Sequence, residues 1–415
     1  MFLIYVITVL SLIYFVFVKK RVDLYTLAFV SALVYFLPAF FGFTAHSVGK
    51  VRVFQAIQTN QYLIMFFVLL SIVLSSFIFD LIKNKDNRFV GDEARNKYIL
   101  LFSLGVLLFS LFMMIFSMGV SNILSEDKAD VLGARNRWYV LFSVVVPLYG
   151  LIAAFQKNNF HFIVSVISVL FLTFIGFRTP LMIFVLSGGL IYFSSLNRPI
   201  YKVINLKSFF ASTFLIMFLF VYKKIYVQVK LGNWDVVKER LTSSELYIAA
   251  ITESEPFVTQ DILNSTLRYA GNIEFDFISG FLSSFMLFGD EILNTSNGFM
   301  KFVNSTLYSH IDYGVASNIW AQMYALGGWT GIIIFSIVFN SVIALFVIGM
   351  KTRFLTVKVL YANLGVLWVF ALHRNDFSYL ITQQKRVVLV FVLVLFVSLF
   401  FKKMKLGSMN KVGLA

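Results

Sequence analysis

The sequence predicts an all-α polytopic membrane protein with about 11–12 transmembrane helices and one large extramembrane loop between spans 8 and 9. Three observations carry this. Of 415 residues, 59% are hydrophobic and 18% aromatic, while only 13% are charged; soluble domains carry roughly 25% charged residues. Apolar runs of near-spanning length recur along the chain, without the ten-residue alternation of a membrane barrel. Among them lies one long polar stretch, residues 223–318, rich in aromatics and amides and so expected to be ordered.

Taken in order, the apolar runs place spans at about 2–18, 24–43, 61–82, 98–120, 138–155, 162–177, 180–196, 207–222, 329–349, 354–372 and 387–401. The runs at 162–177 and 387–401 are short for a hydrocarbon core of about 30 Å. No basic segment precedes Phe2–Val18 and no small-residue cleavage site follows it, so it reads as a retained first span. The chain divides into residues 1–222 with spans 1–8, residues 223–318 as the loop with short or interfacial helices, and residues 319–415 with spans 9–11 and a tail. Within the loop, the apolar run from Phe275 to Phe288 suits a re-entrant or interfacial helix better than a full span.

The net charge of +15 would suggest nucleic acid on a soluble protein. On a membrane protein, Lys and Arg gather first in cytoplasmic loops, and no nucleic-acid partner is expected. Lys19, Lys20 and Arg21, then Lys83, Lys85, Arg88, Arg95 and Lys97, then Arg198, Lys202 and Lys207, then Lys351 and Arg353, and finally Lys402, Lys403 and Lys405 all fall on one side of an eleven-span chain. That side is expected to be cytoplasmic, which puts residues 223–318 outside. The outer side should be poor in basic residues, yet it receives Lys50, Arg52, Arg135, Arg137, Arg178, Lys223, Lys224, Lys230, Arg268, Arg374, Lys385 and Arg386.

The chain has no Cys, which excludes disulfides, Cys–metal sites and thiol chemistry. Its four His residues show no paired spacing, so neither a metal nor a cofactor is expected. Arg178 sits in the turn Gly176-Phe177-Arg178-Thr179-Pro180, where an Arg either snorkels to lipid phosphates or lines an aqueous cavity as an anion clamp. His373, Arg374, Asn375 and Asp376, closing with Gln383, Gln384, Lys385 and Arg386, form a charge-dense outer connector. There His373 is a candidate proton carrier, and Asp376 a partner that orients an Arg. At the end of the loop, His310 and Asp312 are candidate proton acceptors. Asn318 is either a helix N-cap or a substrate contact. The loop acids Asp235, Glu239, Glu245, Glu253, Glu255, Asp261 and Glu274 read as a solvated surface.

The plan of the chain, with Gly176-Phe177-Arg178, the stretch from Ser317-Asn318-Ile319-Trp320 to Gly327-Gly328-Trp329-Thr330-Gly331, and Arg374-Asn375-Asp376-Phe377, resembles the bacterial O-antigen polymerase (Wzy) family of oligosaccharide repeat-unit polymerases, and more distantly the O-antigen ligases. Related ligases carry a His before the Asn of the second motif. This chain has Ser317 there, which leaves the base role to His310 or Asp312. The resemblance implies a GT-C-like glycosyltransferase of the bacterial inner membrane, with its active site facing the periplasm. Donor and acceptor would be undecaprenyl-diphosphate-linked oligosaccharides, membrane lipids would surround the spans, and a chain-length regulator protein would be a partner. In that reaction Arg178, Arg374 and Arg386 are expected to contact the diphosphate, with Arg268 and Lys224 as secondary contacts. His310, Asp312 and His373 are the candidate bases, and Asn318 and Asp376 substrate contacts. A ligase passing polymer to lipid A core would share the donor site. A lipid-linked oligosaccharide flippase is the rival class; such transporters often show repeats and broken helices, and neither is visible in the sequence.

Overall fold

The structure, a computed structural model, describes residues 1–48, 51–82, 97–125, 128–196, 198–203, 206–269, 273, 275–286, 298–309 and 316–412. Among the described residues the fold is overwhelmingly helical, and seven helices are long and apolar enough to cross a membrane. The chain is therefore a polytopic membrane protein. In order, the helices are α1 (Phe2–Ile13), α2 (Leu24–Tyr35), α3 (Leu37–Phe41), α4 (Thr59–Leu81), α5 (Lys97–Met118), α6 (Val120–Leu124), α7 (Lys128–Gly133), α8 (Arg137–Phe155), α9 (Asn159–Phe174), α10 (Thr179–Leu196), α11 (Ile200–Val203), α12 (Leu206–Leu231), α13 (Trp234–Thr242), α14 (Ser244–Thr252), α15 (Glu255–Arg268), α16 (Phe277–Phe285), α17 (Phe299–Phe302), α18 (Ile319–Gly349), α19 (Leu355–Ala371) and α20 (Phe377–Val412). The seven are α4, α5 from Tyr98, α8, α10, α18, α19 with its extension to Arg374, and α20 as far as Phe401; Phe2–Val18, α2 and α9 are shorter apolar helices.

Side-chain caps set many of the starts. Asp23 Oδ1 accepts from Thr26 N at α2, Asn136 Oδ1 from Trp138 N and Tyr139 N at α8, and Asn158 Oδ1 from His161 N at α9. Each satisfies backbone donors that a helix leaves open at its first turn. The bundle's interior is built on α8 and α19, the most deeply covered of the seven, which pack against each other and against α10 and α20. Tyr149, Phe142 and Trp368 fill it.

Outside the long polar stretch, the structure departs from the sequence expectation in five places. First, α3 ends at Gly42 and the chain turns into an antiparallel hairpin, β1 (Phe43–Val48) with β2 (Val51–Ala56), in which Thr44 faces Gln55 and His46 faces Val53. The expected span 24–43 thus ends in a sheet, and the fold is not purely helical. The alternation Val51-Arg52-Val53-Phe54 carries this strand pattern. Second, Lys19 is not a free charge. It is buried and held by Asp23 at 3.0 Å, Asp80 at 2.9 Å and Ser76 Oγ at 2.8 Å, because a cation in the bundle needs partners. Third, α12 runs on to Leu231, so Lys223, Lys224 and Lys230 lie on a continuous helix. Fourth, the last helix starts at Phe377, not 387, which shortens the expected connector 373–386 to a few residues and puts Gln383, Gln384, Lys385 and Arg386 inside α20. Fifth, α18 is broken: Gly327 and Gly328 leave helical geometry, Gly328 with φ +55, a conformation open mainly to glycine. No broken helix was visible in the sequence.

The stretch 223–318 contains α13, α14, α15, α16 and α17. Asp276 caps α16 through Ser279 N at 2.9 Å. That helix lays Phe277 and Phe281 on Phe377, with ring centroids 6.0 and 5.7 Å apart, and leaves Ile278, Leu282 and Phe285 exposed. The largest surprise is α15. It packs against β1, α2, α3, α4 and α18, and Thr259, Gln260, Asp261, Asn264 and Thr266 are all fully buried. A polar helix in an interior needs hydrogen-bond partners, and α15 meets most of them at its backbone carbonyls, at Asp261 and at Asn264, while Gln260 Nε2 and Thr266 Oγ1 find none among the described residues. Gln61 Nε2 donates to Gln260 O at 2.9 Å, Gln58 Nε2 to Asn264 O at 2.8 Å, Asn264 Nδ2 to Ala56 O at 3.2 Å and Asn318 Nδ2 to Thr259 O at 2.9 Å. The apolar helices are thus bolted to one another through a polar plug.

Candidate functional site

At the end of the bundle where α15 begins, three distant pieces of chain meet. Gly176, at φ +101, lets the chain reverse between α9 and α10 and brings out Arg178. A single 3-10 turn after α19, Leu372–Arg374, presents Arg374. Glu255 is the first residue of α15. Arg374 Nη1 donates to Glu255 Oε2 at 2.9 Å, and the Tyr35 hydroxyl lies close enough to act on the Arg374 guanidinium. Arg178 lies within the fields of Glu255, Arg374, Tyr226 and Tyr35. Burial pulls its guanidinium below the ordinary value, Glu255 opposes that shift and Arg374 adds to it; an Arg stays charged regardless. Beside it is a small cleft lined by Gly176, Arg178, Tyr222, Lys223 and Tyr226. A second, apolar crevice lies elsewhere, among Ile99, Ser103, Val145, Leu148 and Phe391, and carries no charged group.

Two of the three leading arginines of the sequence reading are therefore brought together across almost 200 positions. Arg386 is not with them. It stands nine residues into α20, about 14 Å along the axis from Phe377, because Asp376 starts the helix early by accepting from Tyr379 N at 2.8 Å. Arg268 closes α15, thirteen residues and about 20 Å along the axis from Glu255; its field falls on His46. Lys224 is paired with Glu253, and its carbonyl accepts from Arg240 Nη1 at 3.3 Å.

Among the candidate bases, His310 and Asp312 lie outside the described residues. His373 is fully buried, stacked on Tyr35 with centroids 5.2 Å apart, and its Nδ1 accepts from Trp320 Nε1 at 3.1 Å. That bond puts the ring proton on Nε2, which has no partner among the described residues. Two more buried atoms are in the same position: Ser254 Oγ, next to Glu255, and Ser317 Oγ, whose backbone N donates to Arg374 O at 3.0 Å. All three flank the Arg374–Glu255 pair, so its surroundings can take further polar contacts. Asn318 caps α18, its Oδ1 accepting from Trp320 N at 2.9 Å and Ala321 N at 3.2 Å, and it is fully buried. Asp376 is likewise a cap, and burial raises its carboxyl pKa.

The sequence reading missed a second constellation on α15. Asp261, read as a surface acid, is wholly buried. Its Oδ1 accepts from Thr44 Oγ1 at 3.0 Å; its Oδ2 meets His46 Nδ1 at 2.6 Å and also accepts from the Tyr308 hydroxyl. The His46 pKa is raised by that hydrogen bond, against burial and Arg268; burial beside the carboxylate raises the Tyr308 hydroxyl. Glu253 and Glu255, two other supposed surface acids, are the paired partners of Lys224 and Arg374. One signal was available: α15 has no basic residue before Arg268 and places Gln260 and Asn264 four apart on one face, a pattern of interior hydrogen bonding more than of a wet surface. Among the described residues, no group of three His, Cys, Asp or Glu gathers as a metal site.

Chemically, the end of the bundle offers the Arg374 guanidinium bonded to Glu255 with the Arg178 guanidinium in the field of the same carboxylate, a setting suited to an anion with several oxygens, and further along α15 a carboxylate that orients the His46 imidazole of β1. Comparison of the chain with protein-family models, curated proteins and solved structures gives no match in any of the three.

Proposed function

We propose that this chain is an oligosaccharide repeat-unit polymerase of the O-antigen (Wzy) kind, with a GT-C-like plan. It moves a growing glycan from undecaprenyl diphosphate to a sugar hydroxyl of a new lipid-linked repeat unit, at the periplasmic face of the bacterial inner membrane. The observation that carries the reading is the convergence of Arg178 and Arg374 beside Glu255, Tyr35 and the Tyr222–Tyr226 cleft. A diphosphate leaving group needs its developing charge stabilised, and fixed guanidinium groups in a partly dry site supply that without a metal. The tyrosines that border the cleft suit sugar rings, and the apolar helices suit a polyprenyl tail.

The test is elongation of lipid-linked repeat units by the purified protein in vesicles. A ladder of longer lipid-linked glycans is expected, and wild-type protein that yields none overturns the proposal. A deletion strain separates the ligase alternative, since loss of a polymerase leaves one capped repeat unit and loss of a ligase leaves no capped glycan. A flippase is the second reading, and the break at Gly327–Gly328 in α18 favours it, because interrupted membrane helices often border transport sites. Transbilayer movement of the lipid-linked glycan without elongation would establish it instead.

A further inference from the structure

The apolar run of α16 suits either a helix lying on the membrane surface or one entering it, and the levels of α19 and α20 beside it separate the two. With its 3-10 extension, α19 covers Leu355–Arg374, 20 residues, or about 30 Å, which only just crosses the hydrocarbon. Leu364 therefore stands near the middle of the bilayer, and Trp368 lies six residues, about 9 Å, inside the Arg374 end. The chain of α20 is tied to both levels. The Phe377 ring has its centroid 6.4 Å from that of Trp368, and Gln384 Nε2 donates to Leu364 O at 3.3 Å. Over the same stretch α16 runs beside α20. Phe277 and Phe281 pack on Phe377, and a Cβ on Gly280 would come within 3.1 Å of Ser378 Oγ. The carbonyl of Met286, which closes α16, accepts from Lys385 Nζ. These contacts advance in one direction on both helices, so α16 is parallel to α20 and ends at the level of Lys385, next to Gln384.

Two local features fit that depth. The last carbonyls of a helix have no partner within it, and hydrocarbon offers no water to take them. Lys385 supplies a donor at Met286, and a cation suits a helix C-terminus. Gly280 and Ser284, four apart on one face, are both buried, the spacing by which helices approach closely in lipid. The other face is apolar and exposed at Ile278, Leu282 and Phe285. Below the end of α16 the exposed residues of α20 are apolar as well, at Val388, Leu389 and Val392. We infer that α16 is a re-entrant helix: it enters the bilayer beside α20, ends inside the hydrocarbon, and lays Ile278, Leu282 and Phe285 against the acyl chains of the leaflet on the Arg374 side. The inference is independent of the polymerase reading. The polar stretch 223–318 is then not one extramembrane loop, because α16 carries it into the bilayer.

The chain has no Cys, so a single introduced thiol reports on one position. Ile278→Cys, Leu282→Cys and Phe285→Cys, each in full-length protein in phosphatidylcholine vesicles, are compared with Ile337→Cys on the exposed face of α18 and Lys238→Cys on the charged helix α13. A charged maleimide present on both sides of the bilayer should react with the three thiols on the order of tenfold or more slowly than with Lys238→Cys, because a thiol in an apolar setting forms little thiolate. With a nitroxide attached, the ratio of collisions with oxygen to collisions with a water-soluble nickel chelate should rise from Ile278→Cys to Phe285→Cys, towards the value at Ile337→Cys. Wild-type protein covers the case in which a variant folds poorly: a phospholipid with an acyl-chain diazirine should photolabel Ile278–Phe285 as it labels α18. Equal, shallow ratios at the three positions would mean a helix lying on the surface, and maleimide reaction as fast as at Lys238→Cys would mean a wet one. Shielding from both oxygen and the chelate, with no photolabel, would mean a protein partner or a second copy of the chain. Each of these three results overturns the inference.

Discussion

Glu255 is the carboxylate that Arg374 holds, and replacing it by Gln tests the proposed anion site directly. The carboxylate lies 2.9 Å from Arg374 Nη1, and its charge also acts on Arg178. Opposite charges near 4 Å attract by about 4 kcal/mol at an effective dielectric near 20. The side chains are 32% and 28% exposed, which screens much of this. Exposed pairs net about 0.2–1 kcal/mol, and breaking a buried one costs about 3–5 kcal/mol. An intermediate value of about 1.5 kcal/mol is appropriate here. In the resting protein that energy competes with any incoming anion. Removing the Glu255 charge should therefore tighten binding of a diphosphate by about tenfold, whereas Arg374→Gln should weaken it by at least as much. The assay is calorimetric titration of the detergent-solubilised full-length protein with inorganic pyrophosphate and with farnesyl diphosphate, at low salt because the contacts are ionic. Binding to Glu255→Gln that is unchanged or weaker, with Arg374→Gln binding as the wild type does, would refute the idea that these guanidinium groups receive an anion.

Three further outcomes are expected. Arg178→Ala and Arg374→Ala should abolish polymer in cells at unchanged protein abundance, while Arg386→Ala and Lys224→Ala stay within a few-fold of wild type; a glycan ladder on a gel reads all four, and full-length polymer from the first two would remove the site assignment. Asp261→Ala leaves Thr44, His46 and Tyr308 without their acceptor, so it should cost about 3–5 kcal/mol, whereas exposed Asp235→Ala should change stability by at most about 0.5 kcal/mol; thermal unfolding in detergent compares them. The pH dependence of the hairpin follows from the raised His46 pKa. Stability from the His46–Asp261 pair is fully present below about 6.5, the unfolded value, and is lost as pH rises through the folded value. Amide exchange in Phe43–Val48 and Val51–Ala56 should therefore quicken from pH 6 to pH 9 beyond the intrinsic rate increase, and His46→Gln should remove that excess.

Much of the helical framework was legible because a bilayer imposes a coarse code. Each expected span has a helix at its position, and Asn318, weighed as an N-cap, is one. The turn at Gly176-Phe177-Arg178 was legible for a similar reason, since glycine and proline flank an Arg between two apolar runs. Helix ends were harder to read. Charged residues such as Lys385 and Arg386 end a hydropathy window but not a helix, because their aliphatic stems lie along the helix surface while backbone bonding continues. The hairpin at Phe43–Val48 and Val51–Ala56 was hidden behind an apolar run that reads equally as the end of a span.

The sequence alone determined that the chain spans a membrane, where most of its helices fall, and that Arg178 and Arg374 stand at turns between them. Composition and local period decide these, because each helix satisfies its own backbone and needs no distant partner. Only the tertiary structure decided which charges meet. Glu255, Arg374, Arg178 and Tyr35 come from four separated segments, and Asp261 is a buried acceptor, not a solvated acid, only because β1 and Tyr308 close over α15. A polar helix reads as a surface until the groups that satisfy it are known, and those groups lie more than 200 residues away in Thr44, His46 and Gln58.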